Sequence, residues 1–256
     1  MTPMNSSWTR RTTTATATTT TTAPKISQVH IRAYRAIDDV KTSMRFAEGH
    51  AAVLAHHGIQ RVASANAEWV NDPDVYVIIA TSPGGEKIYG GARIQIRRPD
   101  RYLPLETAFA KYDKNIHQVI GKMQDEGCGE LCALWNSMEV AGFGIGSRLI
   151  INCAVSMTQR LKIRHLLALT SPVTRRFIPA FGFYTIPNIG IDGGIPYPTE
   201  RLKATVAHFI NPDRLVFMDQ ELNKQAKELM INPRLNTTST GPRGSLNLCF
   251  DLGVSR

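Results

Sequence analysis

Cysteine is scarce in this chain, with only Cys128, Cys132, Cys153 and Cys249 spread irregularly over 256 positions. Such spacing supplies no disulfide framework, and Cys128 and Cys132 lack a second ligand pair at zinc-site spacing, so no metal is expected. Long apolar runs are missing too. No stretch approaches the roughly eighteen consecutive apolar residues of a membrane helix, and no apolar block of signal-peptide length follows the first arginines. A cytoplasmic protein in a reducing compartment, without a membrane span, is the expectation. No acid precedes Asp38, whereas Arg10, Arg11, Lys25, Arg32 and Arg35 all do. The net charge of +9 therefore falls to +4 over the rest of the chain, too mild an excess to argue for a nucleic-acid partner.

What is present divides in two. Residues 1–24 are roughly half threonine, without acids and nearly without large apolar groups, so they cannot offset the entropy of ordering and read as a disordered tail. Residues 25–256 read as one domain, with a C-terminal extension from about 187. Val29, Ile31 and Ala33 alternate as in a first strand; Val40, Met44, Ala47, Ala51 and Leu54 then recur at helical spacing from Asp38 to Gly58. In that helix His50, His56 and His57 fall on the polar face. Val75 to Thr81 and Ile88 to Arg97 form a hairpin across Ser82-Pro-Gly-Gly85, with Arg93 and Arg97 on its solvent side. Helix is expected within Leu105 to Met123, a buried strand at Glu130 to Ser137, a helix at Ser147 to Leu161 and another buried strand at Leu166 to Thr170. In the extension a strand is expected near Ala204 to Phe209 and a helix from Asp219 to Met230.

The stretch Leu134-Trp-Asn-Ser-Met-Glu-Val-Ala-Gly-Phe-Gly-Ile-Gly-Ser-Arg-Leu149 runs from an apolar strand through glycines 142, 144 and 146 into an amphipathic helix. Without Cβ atoms such a turn brings backbone N–H groups against a pyrophosphate, and the helix start adds a favourable dipole. No Gly-Lys-Ser/Thr follows for a P-loop. The turn comes after a meander of antiparallel strands, not at the opening of a dinucleotide-binding βαβ unit.

Ala141-Gly-Phe-Gly144-Ile-Gly146, followed by a strand at Leu166 to Thr170 and by Phe181-Gly182-Phe183, resembles the central motif of the GNAT superfamily of N-acyltransferases. The resemblance covers about 55 residues at motif level. It implies an α/β (α+β) fold with a mixed, mostly antiparallel central sheet flanked by helices, and an acyl-CoA co-substrate such as acetyl-CoA. It also implies that Met138, Glu139 and Val140 border the pantetheine, and that the backbone of Gly142, Phe143, Gly144, Ile145, Gly146 and Ser147 holds the pyrophosphate. Replacing Gly144 by valine should then weaken donor binding more than tenfold, about 1.4 kcal/mol. The acceptor is expected to be a small-molecule amine or amino-acid-like compound. The chain departs from the pattern at Ala141, where the family has Arg or Gln, and at Ile178, where many members have an acid-acting tyrosine. Glu139 is the candidate base, with Asn136, Ser171 and Tyr184 as further catalytic candidates.

A second likeness runs through Gly91-Ala-Arg-Ile94, Leu103-Pro-Leu105 and Leu134-Trp-Asn-Ser137. These stretches resemble acyl-homoserine-lactone synthases, which imply a carrier-protein or long-chain donor. Against it, the acidic cluster reduces to Asn71-Asp-Pro-Asp74, and only Asn136-Ser-Met-Glu139 stands where those synthases carry Glu-x-Ser-Arg. A catalytically silent acyl-CoA-binding domain is the reading from a different class.

Overall fold

The computed structural model describes residues 26–59 and 67–254; the threonine-rich tail lies outside them. Strand β1 (Gln28–Arg35) leads through a 3-10 turn into helix α1 (Val40–His56), and Asp39 caps it by accepting from the Thr42 amide at 3.1 Å. Strands β2 (Val75–Thr81) and β3 (Ile88–Ile96) form the hairpin, followed by short helices α2 (Pro104–Phe109) and α3 (Ile116–Gly121). Next come β4 (Cys128–Asn136), α4 (Ser147–Met157), β5 (His165–Thr170) and α5 (Pro172–Phe177). The remainder holds β6 (Tyr184–Thr185), β7 (Ile195–Pro196), β8 (Lys203–Ile210), α6 (Gln220–Ile231), β9 (Asn236–Gly241) and β10 (Gly244–Asp251).

These strands make one ten-stranded sheet in the order β6-β8-β5-β4-β3-β2-β1-β10-β9, with β7 also paired to β8. Only β4 with β5 and β1 with β10 run parallel, so the sheet is mixed and mostly antiparallel. Helices cover both faces. On one, α4 packs against Ile78, Ile94, Leu131 and Leu166, and every residue from Leu149 to Met157 is buried. That total burial follows from the extension, because α6 lies over the outer side of α4 and Asn152 donates to Leu222 O and Gln225 Oε1 across the join. On the other face lie α1, α2 and α3, packed on Val77, Ile79, Cys128 and Leu167.

Three details differ from the sequence expectation. The buried side of α1 is Ser43, Phe46 and His50, while Val40 and Met44 are exposed, a rotation of about one residue. Phe46 sits 5.9 Å from Trp135 and 6.0 Å from Trp69, and a Cβ on Gly49 would lie 2.4 Å from the Trp135 ring. The tryptophan contact turns the helix. Second, Arg93 and Arg97 do not face solvent: they are 1% and 7% exposed, because α2 and the turn Glu68–Asn71 cover that side of the hairpin. Third, the β9–β10 hairpin was not anticipated. Its polar first strand carries no buried stripe, although Leu246, Leu248 and Phe250 alternate inward on the second.

Candidate functional site

Strands β4 and β5 pair only at Cys128, Gly129 and Glu130, opposite His165, Leu166 and Leu167, and then diverge. The divergence opens a cleft of about 430 Å³ through the sheet. Its walls come from both layers: His50 and Leu54 of α1 and Pro104 of α2 on one side, Ser147 and Ile151 of α4 with Phe177 and Ile178 on the other. Halfway along β4 the register against β3 shifts between Cys132 and Trp135, so that two residues, Ala133 and Leu134, oppose Ala92. Ala133 takes a left-handed φ of 52°, strained for alanine by about 1 kcal/mol or more. This bulge redirects the strand's backbone groups at the cleft.

The glycine turn adjoins the cleft through Ser147, which lines it. Gly142 and Gly144 have φ of 82° and 79°, and a Cβ on either would press on the β9–β10 hairpin, at Arg243 and at Ser239 Oγ respectively. Both glycines therefore have a reason internal to the fold. Gly146 is different, because its φ of −81° suits any residue and a Cβ there would meet nothing nearer than 3.9 Å. Phe143 and Ile145 send their side chains into the core. Among the hydrogen bonds of the described residues, none uses the amides of Gly144, Ile145, Gly146 or Arg148. Those of Gly146 and Arg148 are the unsatisfied donors that a helix start offers to an anion, while that of Gly144 lies against Gly241 of the β9–β10 hairpin.

The expected catalytic residues are not gathered together. Asn136 is spent on the turn: oriented to suit its neighbours, its amide accepts from Ser147 N at 2.9 Å and Ser147 Oγ at 2.7 Å and donates to Trp135 O at 3.1 Å. Met138 is 81% exposed and Val140 buried. Glu139 is half exposed and ion-paired with Lys87. Ser171 lines the cleft and caps α5, accepting from the Thr174 amide at 3.3 Å. Tyr184 lies two strands beyond β5, its hydroxyl 2.8 Å from His208 Nδ1. Burial raises the Tyr184 hydroxyl's pKa, and burial with neighbouring positive groups lowers His208 to about 4.

Four titratable residues that the sequence reading did not place in the site line the cleft: Glu130, His50, Cys132 and Tyr197. Glu130, 1% exposed, accepts from the Leu105 amide at 2.8 Å, and burial pushes its carboxyl up to about 8. His50 is held down to about 4, by burial first and by Arg93 second, and is therefore neutral at pH 7. The available signal was a lone carboxylate inside an otherwise apolar strand; it lies six residues before the Asn136 to Glu139 stretch in which an acid was sought. Among the described residues no three His, Cys, Asp or Glu side chains come together as a metal site.

Among solved structures the chain is similar to FeeM, an N-acyl amino acid synthase from uncultured soil microbes. The TM-score is 0.56 at 14% identity, over 75% of this chain and 96% of that one. The chain has a GNAT-like fold. TofI, in a ternary complex with an inhibitor and MTA, matches at a TM-score of 0.50 and 14% identity over 76% of this chain and 99% of that one. BjaI, a CoA-dependent acyl-homoserine lactone synthase with SAM and isopentyl-CoA, matches at 0.48 and 14% over 78% and 90%. No family model matches the sequence, and no curated protein does.

Proposed function

We propose that this protein transfers an acyl group from coenzyme A to the amine of a small acceptor. The observation that carries this reading is the glycine turn, with its unpartnered amides, leading into Ser147 on the wall of a cleft between two diverging parallel strands. A diphosphate suits those amides, and the unpaired edges of β4 and β5 suit the amides of a pantetheine arm, which can bond to backbone as an added strand would. Ala141 leaves a gap in positive charge. Arg243, from the turn between β9 and β10, reaches it: its Nη1 lies 3.2 Å from Ala141 O, and its stem lies against Gly142.

The acceptor nitrogen bonds to the thioester carbonyl carbon, the carbon–sulfur bond breaks, one amine proton goes to a base, and the thiolate takes a proton. We assign the base to Glu130 in preference to Glu139, because Glu130 lines the cleft and its pKa of about 8 is close to the working pH. The leaving-group proton is assigned to Ser171, which lines the cleft, in preference to Tyr184, which does not. Leu54, Leu131, Leu134, Ile151 and Phe177 give the cleft apolar walls, and its 430 Å³ favours an acyl chain longer than acetyl.

Free-thiol release from CoA thioesters, from acetyl to dodecanoyl, across a panel of amines tests the reading. Turnover is expected, with the longer chains preferred. Tight CoA binding without turnover on any amine would favour the silent domain, and release only from an acylated carrier protein would favour the carrier-dependent reading.

A further inference from the structure

We propose that the acceptor carries a carboxylate, held by Arg93 in a second cavity that adjoins the acyl-transfer cleft. The inference rests on the acyltransferase reading and names its acceptor class.

Arg93 is among the most deeply buried residues, at 1% exposed, and the basic residues around it are all matched. Arg97 pairs with Glu106 at 3.2 Å, Arg98 with Asp74 at 2.5 Å, and Arg101 with Asp72. Arg93 has no such partner. It stands in none of the ion pairs just named, the buried Glu130 being the acid that it acts on electrostatically, and its buried Nη1 donates to no described residue. A buried charge without an ion-pair partner is strongly unfavourable, and completion by a ligand is one explanation for its retention.

Its surroundings are built to hold it still. Nε donates to Cys132 Sγ at 3.2 Å, and the guanidinium lies 4.7 Å from the centre of the Trp69 ring. The planar fork is thus fixed before any ligand arrives, which suits two-point recognition of a carboxylate. Arg93 lines a cavity of about 450 Å³ together with Trp69, Gln95 and Tyr102. Two acids also line it, Glu68 and Asp72, and Asp72 is taken by Arg101.

The position of this cavity relates it to the reaction. Pro104 belongs to the walls of both cavities, and Arg93 is the register partner and contact of Cys132, which lines the acyl-transfer cleft beside the Ala133 bulge. A carboxylate on Arg93 therefore leaves an amine one or two carbons away at the β4 side of the cleft, on the Glu130 face. An α- or β-amino acid has those dimensions.

The test compares amines that differ only at the carboxylate: free amino acids, their carboxamides and the decarboxylated amines. With wild-type protein, the amino acid is expected to exceed its carboxamide at least tenfold in kcat/KM and to raise Tm where the carboxamide does not. In Arg93→Gln the ratio should fall toward one, while CoA affinity stays unchanged. A wild-type protein with no preference for the carboxylate, or an Arg93→Gln variant that keeps the preference, overturns the proposal. Should the variant not fold, the wild-type comparison by Tm and kcat/KM decides. The Tm comparison needs no donor, so failure to bind or use acyl-CoA would sink the acyltransferase reading separately.

Discussion

Glu130→Gln should lower kcat/KM at pH 8 by about 10²- to 10⁴-fold, the usual worth of a positioned general base, and leave CoA affinity unchanged. Glutamine keeps the oxygen that accepts from the Leu105 amide at 2.8 Å, so the exchange removes a titratable group and little else. The pH dependence identifies the residue. A base works deprotonated, so the wild-type rate should climb with pH through a limb near 8, where burial has put the Glu130 carboxyl, and the variant should lack that limb. An unchanged limb in Glu130→Gln would return the role to another group, with Glu139 next in line. The acid side of the profile is less informative, because His50 stays neutral down to about 4.

The same carboxyl affects stability, with a sign that can be checked independently of activity. Its pKa rises from 4.5 unfolded to about 8 folded, so the unfolded chain loses that proton first as pH increases. The stabilisation is complete below about 4.5 and is lost as pH climbs through 8, at about 1.4 kcal/mol per pH unit between those limits. His50 and His208 act oppositely: both fall from 6.5 to about 4, so their contribution is present above 6.5 and is lost as pH drops through 4. Melting curves of Glu130→Gln should keep the acid branch and lose the alkaline one.

How far such features could be read from the sequence depended on whether a pattern had one physical cause or two. The runs at Val75–Thr81 and His165–Thr170 are buried on both faces, and continuous apolarity gave them away. The β3 alternation was also legible, but its polar face was assigned to solvent, the usual outcome. In the folded chain that face is roofed by α2, and Arg97 is matched by Glu106, itself fully buried. Burial of paired charge leaves no mark on period-two patterning. Similarly, α1 has an apolar stripe at Val40 and Met44, yet Gly49 admits Trp135 and turns His50 into the cleft instead. The glycine motif was read for its phosphate use, and the hairpin contact that requires Gly142 and Gly144 involves residues about a hundred positions away.

That last point decides which glycine tests donor binding. Gly144→Val, the substitution the motif suggests, puts a branched side chain at φ 79° with its Cβ 2.5 Å from Ser239 Oγ, so it would disturb the β9–β10 hairpin with or without a donor. Gly146→Val has neither fault. At φ −81° with open space around its Cβ, valine costs at most about 1 kcal/mol through the weaker helix cap. Any larger effect must come from what approaches the turn from outside. CoA affinity measured by calorimetry should fall more than tenfold, about 1.4 kcal/mol or more, while Tm moves by only a few degrees. Equal affinity in a folded Gly146→Val would remove the diphosphate from this turn, and with it the main support for a coenzyme A donor.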